Sequence, residues 1–326
     1  MEEVRSGCCS PSRMPTDGAA EGARSPDRGP GARDAPDDVP LPGGAFLMGD
    51  HFAEGYHADG ETPVHAVLLS PFAIDRTAVT NARFAAFVAA TGYRTTAEAE
   101  GSSAVFHLDV AAGPDDVVGD YGTGWWRAVR GADWRHPGGP LSSIRDRMDH
   151  PVVHVSHHDA LAFCRWAGRD LPTEAQWEYA ARGGLEGFRF PWGDDLTPDG
   201  RHLANIWQGE FPVRNAAEDG WHSTAPVGAF DPNGFGLDQM VGNVWEWCAD
   251  WFSPTWYVSG PQRDPAGPAQ GTRRVTRGGS YLCHASYCSR YRVAARNSNT
   301  PDSSASNQGF RTVSAYGPVL GARRVP

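Results

Sequence analysis

Two cysteines near the carboxyl-terminal end carry the most legible chemistry in the chain. Cys283 and Cys288 lie in Arg277-Gly278-Gly279-Ser280-Tyr281-Leu282-Cys283-His284-Ala285-Ser286-Tyr287-Cys288, a C-x4-C spacing. It is not the C-x2-C of thioredoxin-like or zinc-knuckle motifs, and no second pair completes a tetrahedral zinc site. Two thiolates alone suit a soft ion of low coordination number, which points to Cu(I). The spacing leaves two other readings open. One is a redox disulfide, formed if the intervening loop folds back; the other is two unrelated buried thiols.

A second group is oxygen-rich. Asn205, Asp219, Gln239 and Glu246 are scattered through turn-rich sequence. Supplemented by backbone carbonyls they suit Ca2+, although they do not match an EF-hand loop. By themselves these residues favour solvated loop acids. A third group is His150, His154, His157 and His158. Pro151 argues against placing His150 and His154 on one helical face, so ordinary hydrogen-bonded histidines are expected. No P-loop, G-x-S-x-G elbow or Rossmann fingerprint is present, which disfavours nucleotide hydrolysis and serine-hydrolase chemistry.

The elements that must position these residues read as short. Thr80 caps a helix with the apolar stripe Phe84, Phe87 and Val88, stopped by Gly92. Ser156 with Asp159 forms a carboxylate variant of the capping box, ahead of a helix stopped at Gly168. Thr173 with Gln176 forms a capping box ahead of a helix stopped at Gly183-Gly184. Short strands are expected at Leu41–Gly49 and His65–Leu69. Beyond Gly184 the pattern predicts turns and isolated aromatics, with no helix of note and no long strand. A loop-dominated half of this length is usually functional or ion-stabilised.

The bulk properties set the frame. The chain has 326 residues, 40% of them hydrophobic, with 12 Trp and 39 Gly, which suggests a compact, loop-rich domain. A formal charge of -10 argues against nucleic acid and reads as solubility. The six cysteines are irregularly spaced, and neither a signal-peptide core nor an apolar membrane-spanning run is visible. A reducing cytoplasm is the expected compartment. Residues 1–39 are poor in large apolar side chains and are expected to be a disordered tail, with no role assigned to Cys8 or Cys9. Residues 40–326 are expected to form one domain.

Several segments together resemble the formylglycine-generating enzyme family, also called sulfatase-modifying factor. They are Leu41–Gly49; His150–Gly184 with Leu171-Pro172-Thr173-Glu174; Ala204–Pro212; Gly242-Asn243-Val244-Trp245-Glu246-Trp247; and Arg277 through Cys288 to Asn299-Thr300-Pro301-Asp302-Ser303-Ser304-Ala305-Ser306-Asn307 and Gly309-Phe310-Arg311. The resemblance covers roughly residues 40–314. It implies a mixed α+β, loop-rich single domain with a C-type-lectin-like fold. It also implies an O2- and Cu(I)-dependent oxidase that converts the cysteine of a Cys-x-Pro-x-Arg motif in unfolded sulfatase-type polypeptides to Cα-formylglycine.

By the same resemblance Cys283 and Cys288 bind copper, Ser280 lines the oxygen side, and Trp245 and Tyr287 shape the pocket. One Ca2+ uses Asn205, the Ile206 carbonyl, Asp219 and the Trp221 carbonyl. A second uses Gln239, the Gly242 and Val244 carbonyls, and Glu246. Gln239 departs from the asparagine usual in the family, which puts the second site in doubt. Val293, Thr312 and Ala181 stand where vertebrate members have disulfide cysteines, and Cys164 lacks its partner, as fits a bacterial-type cytoplasmic member. A monomer is expected. Rival readings are an iron-dependent sulfoxide synthase, disfavoured by the missing Glu after His154, a lectin-like binding module, and a plain thiol-disulfide enzyme.

Overall fold

The computed structural model describes residues 10–13 and 37–315. The chain enters the domain through β1 (Asp38–Leu41) and a hairpin of β2 (Gly44–Met48) and β3 (His65–Leu69), and β4 (Phe72–Asp75) returns along β1. Helices α1 (Asn81–Thr91) and α2 (Thr96–Glu100) follow, then an antiparallel sheet of β5 (Ser102–Phe106), β6 (Val117–Asp120) and β7 (Trp126–Arg130), with β7 in the centre. Next come α3 (His157–Ala167), α4 (Glu174–Arg182) and the two-residue strands β8 (Gly209–Glu210) and β9 (Arg214–Asn215). The last part holds β10 (Trp245–Trp251), α5 (Trp256–Ser259), β11 (Arg274–Arg277), β12 (Arg296–Asn299), β13 (Gln308–Gly309) and β14 (Val313–Ala315). β14 closes back on β4, so both ends of the domain share one sheet.

The three helices expected from their caps form where the caps place them. Thr80 Oγ1 accepts from Arg83 N, and Gly92 takes the left-handed conformation that ends α1. Ser156 and Asp159 exchange hydrogen bonds at 3.2 and 2.8 Å, as do Thr173 and Gln176 at 3.2 and 2.9 Å. α1 and α3 bury Phe84, Phe87, Phe163 and Trp166 together, and Cys164 lies in this cluster as a small apolar side chain. α2, unforeseen, carries its own capping box, Thr95 with Glu98.

The second half departs from the sequence expectation. β10 is a seven-residue strand, hydrogen-bonded to β11 on one side and to β13 on the other, in the sheet β12-β11-β10-β13. Both of its faces are buried, so no polar–apolar alternation marks it in the sequence. Its two carboxylates are met inside. Glu246 receives Arg311 at 2.7 and 2.8 Å, and Asp250 accepts from Glu174 N at 2.8 Å.

Buried charge holds the loops to this sheet. Arg277 on β11 lies between Glu174 at 2.8 Å and Glu178 at 2.6 Å. Arg296 on β12 grips both oxygens of Glu174, and Arg182 donates to Glu178. Arg296 also donates to the carbonyls of Asp59 and Gly60, tying the loop after β2 to the carboxyl-terminal sheet. Val293 and Ala181 pack in the largest apolar cluster, and Thr312 Oγ1 donates to Asp75 at 2.6 Å.

The tail expected to be disordered through residue 39 is described in two stretches, and both pack on the domain. Asp38 and Val39 belong to β1, and residues 10–13 hydrogen-bond to distant parts of the chain. The correction has a physical cause: polar segments need no apolar burial to be held when they meet preplaced hydrogen-bonding groups. Cys8 and Cys9 lie outside the described residues.

Candidate active site

The C-x4-C segment folds back on itself. Cys283 N donates to Ser280 O, and the amides of Tyr287 and Cys288 both donate to His284 O. These turns bring Cys283 Sγ within 3.2 Å of Cys288 Sγ. A disulfide would hold the sulfurs at about 2.05 Å, so the two are separate thiols. Both are buried. Burial, reinforced by the neighbouring Cys288, pushes the Cys283 thiol well above its usual pKa.

Polar groups converge on this pair. Ser280 N donates to Cys283 Sγ at 3.4 Å, and Ser280 Oγ accepts from Asn307 Nδ2 at 2.9 Å. Arg290 points a guanidinium nitrogen at Cys288 Sγ, 4.0 Å away, and is itself held by Asp59 at 2.5 Å. Trp245 and both cysteines belong to one packed cluster, with Tyr287 against it. Tyr287 stacks on Phe211 with centroids 3.8 Å apart and donates its hydroxyl to Leu282 O. Phe211 in turn meets Trp207 and Trp125 edge-on. The structure therefore brings together all five residues singled out for catalysis: Cys283, Cys288, Ser280, Trp245 and Tyr287.

Sequence reasoning assigned no role to Asn307 or Arg290, which align Ser280 and face Cys288. Asn307 lay inside a stretch quoted for the resemblance. Arg290 carried no local signal, because its carboxylate partner is 231 residues away.

The first oxygen set also converges. Asp219 Oδ2 accepts from Ile206 N at 3.2 Å and Gln208 Nε2 at 2.8 Å, and Asp219 Oδ1 accepts from Trp221 N at 2.9 Å. The same Gln208 nitrogen reaches Ile206 O. Asn205 Oδ1 is buried without a hydrogen-bond partner. An orphaned buried oxygen, on the residue preceding the Ile206 carbonyl, makes with the Asp219 carboxylate a donor set of the kind that fits a hard cation.

The second set fits less well. Glu246 already meets Arg311 with both oxygens and Trp177 Nε1 with one. Gln239 Oε1 accepts from Asn243 at 2.5 Å. Gly242 N donates to Gly278 O, and Val244 packs on Ala78 and Val153. A second cation would share with Arg311 a carboxylate whose charge is already matched.

The histidines behave as expected. His150 meets Thr224 Oγ1, His154 meets Ser103 Oγ and Pro137 O, and His157 meets Cys248 O. Burial takes His154 down to about 4 and His157 to about 3, so both are neutral. Among the described residues no group of three or more His, Cys, Asp or Glu side chains gathers as a metal site. The thiol pair offers two soft donors side by side.

A family model described as sulfatase-modifying factor enzyme 1-like domain matches residues 24–316. The chain belongs to this family. A Streptomyces coelicolor protein named formylglycine-generating enzyme is 65% identical over 292 residues, covering 89% of this chain and 93% of its own. A Bos taurus protein named inactive C-alpha-formylglycine-generating enzyme 2 is 44% identical over 292 residues, covering 86% of this chain and 88% of its own. Among solved structures, PvdO from Pseudomonas aeruginosa matches with a TM-score of 0.62 at 26% identity, over 86% of this chain and 94% of that one. The sulfatase-modifying factor fold here is a mixed α+β, loop-rich single domain. Among its described residues no helix is long and apolar enough to cross a membrane.

Proposed function

We propose that this chain oxidises the cysteine of a Cys-x-Pro-x-Arg segment in sulfatase-type polypeptides to Cα-formylglycine, with O2 as acceptor and Cu(I) held by Cys283 and Cys288. The reading rests on one observation above all: two buried thiols 3.2 Å apart, in a family with a 65% identical relative named for this activity. A relative named inactive belongs to the same family, so family membership alone does not carry the reading.

The residues divide the work. Cys283 and Cys288 supply two soft donors, which suit Cu(I) better than harder ions. When bound, copper supplies a site for a substrate thiolate and for reaction with dioxygen. The Ser280 amide faces Cys283 Sγ and the Arg290 guanidinium faces Cys288 Sγ, and both favour the Cys283 thiolate, which burial opposes. Asn307 fixes the Ser280 hydroxyl. Trp245, Tyr287 and Phe211 wall the site with aromatic surface and exclude bulk water.

Calcium enters this proposal at the first oxygen set only, as a structural ion held by Asn205, Ile206, Asp219 and Trp221. Cytoplasmic location, on the composition argument, and a monomeric state belong to the same reading.

The test is mass spectrometry of a Cys-x-Pro-x-Arg peptide after incubation with Cu(I)-loaded protein, O2 and a thiol reductant. The expected result is an aldehyde in place of the cysteine, lost when copper or O2 is withheld. An unchanged peptide with verified copper loading would overturn the oxidase reading and leave a peptide-binding member of the family.

A further inference from the structure

Four residues near the amino-terminal end, Ser10 to Arg13, are packed into the domain. Ser10 is fully buried and Pro11 is buried beside it. The side chain of Asn299, at the end of β12, reads three of the four. Its Nδ2 donates to Ser10 Oγ at 2.8 Å and to Pro11 O at 3.0 Å, and its Oδ1 accepts from Ser12 Oγ at 2.6 Å. Arg273 donates to Ser12 Oγ at 3.1 Å. Arg13 N donates to Ser303 Oγ at 2.9 Å. The Arg13 guanidinium, 13% exposed, reaches Ser102 O at 3.2 Å and pairs with Glu100 at 3.5 Å.

The direction of this segment matters. At its amino-terminal end Ser10 Oγ donates to Gln308 Oε1 at 3.2 Å. The next residue back, Asn307, holds Ser280, whose amide faces Cys283. At the other end Arg13 lies against α2 and β5. A peptide laid on this path would present its arginine to Glu100. In the sequence the residue before Ser10 is Cys9, and Cys9-Ser10-Pro11-Ser12-Arg13 is a Cys-x-Pro-x-Arg segment.

We propose that residues 10–13 are a resident ligand of the target-peptide groove: the chain's own amino-terminal segment occupies the place that a Cys-x-Pro-x-Arg substrate takes, and substrates must displace it. The inference rests on the proposed oxidase reading for the identity of the groove. It assigns the substrate arginine to Glu100 and the Ser102 carbonyl. It assigns the segment around proline to Asn299, Arg273 and Ser303. A tethered ligand acts at a high effective concentration, so it competes even where its intrinsic affinity is modest.

The test uses the full chain with Arg13→Glu, which sets like charge beside Glu100 and leaves the thiol loop unaltered. A second variant lacks residues 1–13. The probe is a fluorescein-labelled Ser-Ala-Pro-Ala-Arg peptide, whose serine prevents turnover, so anisotropy reads binding without copper. Both variants are expected to bind the probe about tenfold more tightly than wild type, the factor by which a tethered competitor lowers apparent affinity. Glu100→Arg in the variant lacking residues 1–13 is expected to cancel the gain. Unchanged affinity in both amino-terminal variants would overturn the proposal. Turnover of the cysteine peptide is scored separately. Tighter probe binding without turnover in any form removes the oxidase reading and keeps the resident ligand; turnover with one common KM and unchanged probe binding does the reverse.

Discussion

At the scale of single residues, the proposed chemistry rests on sulfur, which serine cannot replace. Cys283→Ser and Cys288→Ser each keep a side chain of nearly the same size in a buried position, so the fold and thermal midpoint are expected to survive. Each removes one soft donor and leaves a hard, neutral hydroxyl, so Cu(I) stoichiometry and peptide oxidation should both fall to background. Metal analysis beside mass spectrometry checks this, and full turnover in either variant would refute the copper assignment. How much of this could be read from sequence depends on the residue. The cysteines were visible as a pair, but C-x4-C does not say whether a loop folds back. That depends on the two amides that meet His284 O. Asn299 and Gln308 gave no chemical signal, because an amide in a loop has one only once its partner is in place. Cys9–Arg13 was legible in principle, as a match within the chain to the pattern the resemblance brought with it. It was passed over because composition alone marks its surroundings as unable to form a core.

At the scale of elements, the thiol loop depends on two successive left-handed glycines, Gly278 and Gly279, at φ +92° and +74°. A Cβ on Gly279 would stand 2.9 Å from Arg290 O and 3.1 Å from Tyr291 Cα, so the two arms of the loop could not close. Gly168, at φ +68° after α3, has nothing within 4 Å of the same position. Gly168→Ala therefore carries only the conformational cost of about 1–2 kcal/mol. Gly279→Ala adds steric displacement, and urea unfolding should show at least twice the loss, together with weaker copper binding. Equal losses would mean that the close approach does not matter. The loop carrying Asn205 and Asp219 makes a separate prediction. Added Ca2+ should raise the thermal midpoint, by an amount equivalent to about 2.7 kcal/mol at a hundredfold excess over Kd, and Asp219→Ala should abolish the rise. Element legibility followed the kind of signal. Helices α1, α3 and α4 were marked by caps and glycine stops, which are local. β10 is buried on both faces and defined by its neighbours, which are distant in sequence.

At the scale of the whole molecule, stability depends on how its buried charges titrate, and two carboxyls near β10 and α4 pull in opposite directions. Burial would raise Glu178, but Arg182 and Arg277 outweigh it and bring the carboxyl down to about 2. Its folded pKa lies below the unfolded value, so its stabilisation is complete above about 4.5 and is lost as pH falls toward 2. Asp250 is the reverse case. Burial, with the charge of Glu174 beside it, raises it to about 8, while Arg296 is already engaged by both Glu174 oxygens. A carboxyl whose folded pKa is raised is held protonated by the fold. Its contribution is full below the unfolded value of 3.8 and is lost as pH rises through 8. Wild-type stability should therefore peak on the acid side of neutrality and decline toward pH 8. Asp250→Asn leaves an amide oxygen to accept from Glu174 N and removes the titration. Its stability should match wild type near pH 4 and exceed it near pH 8. Urea unfolding of both proteins at the two pH values decides it: parallel curves would mean that Asp250 is ionised in the folded protein, and that Arg296 and Arg274 balance its charge despite their other partners.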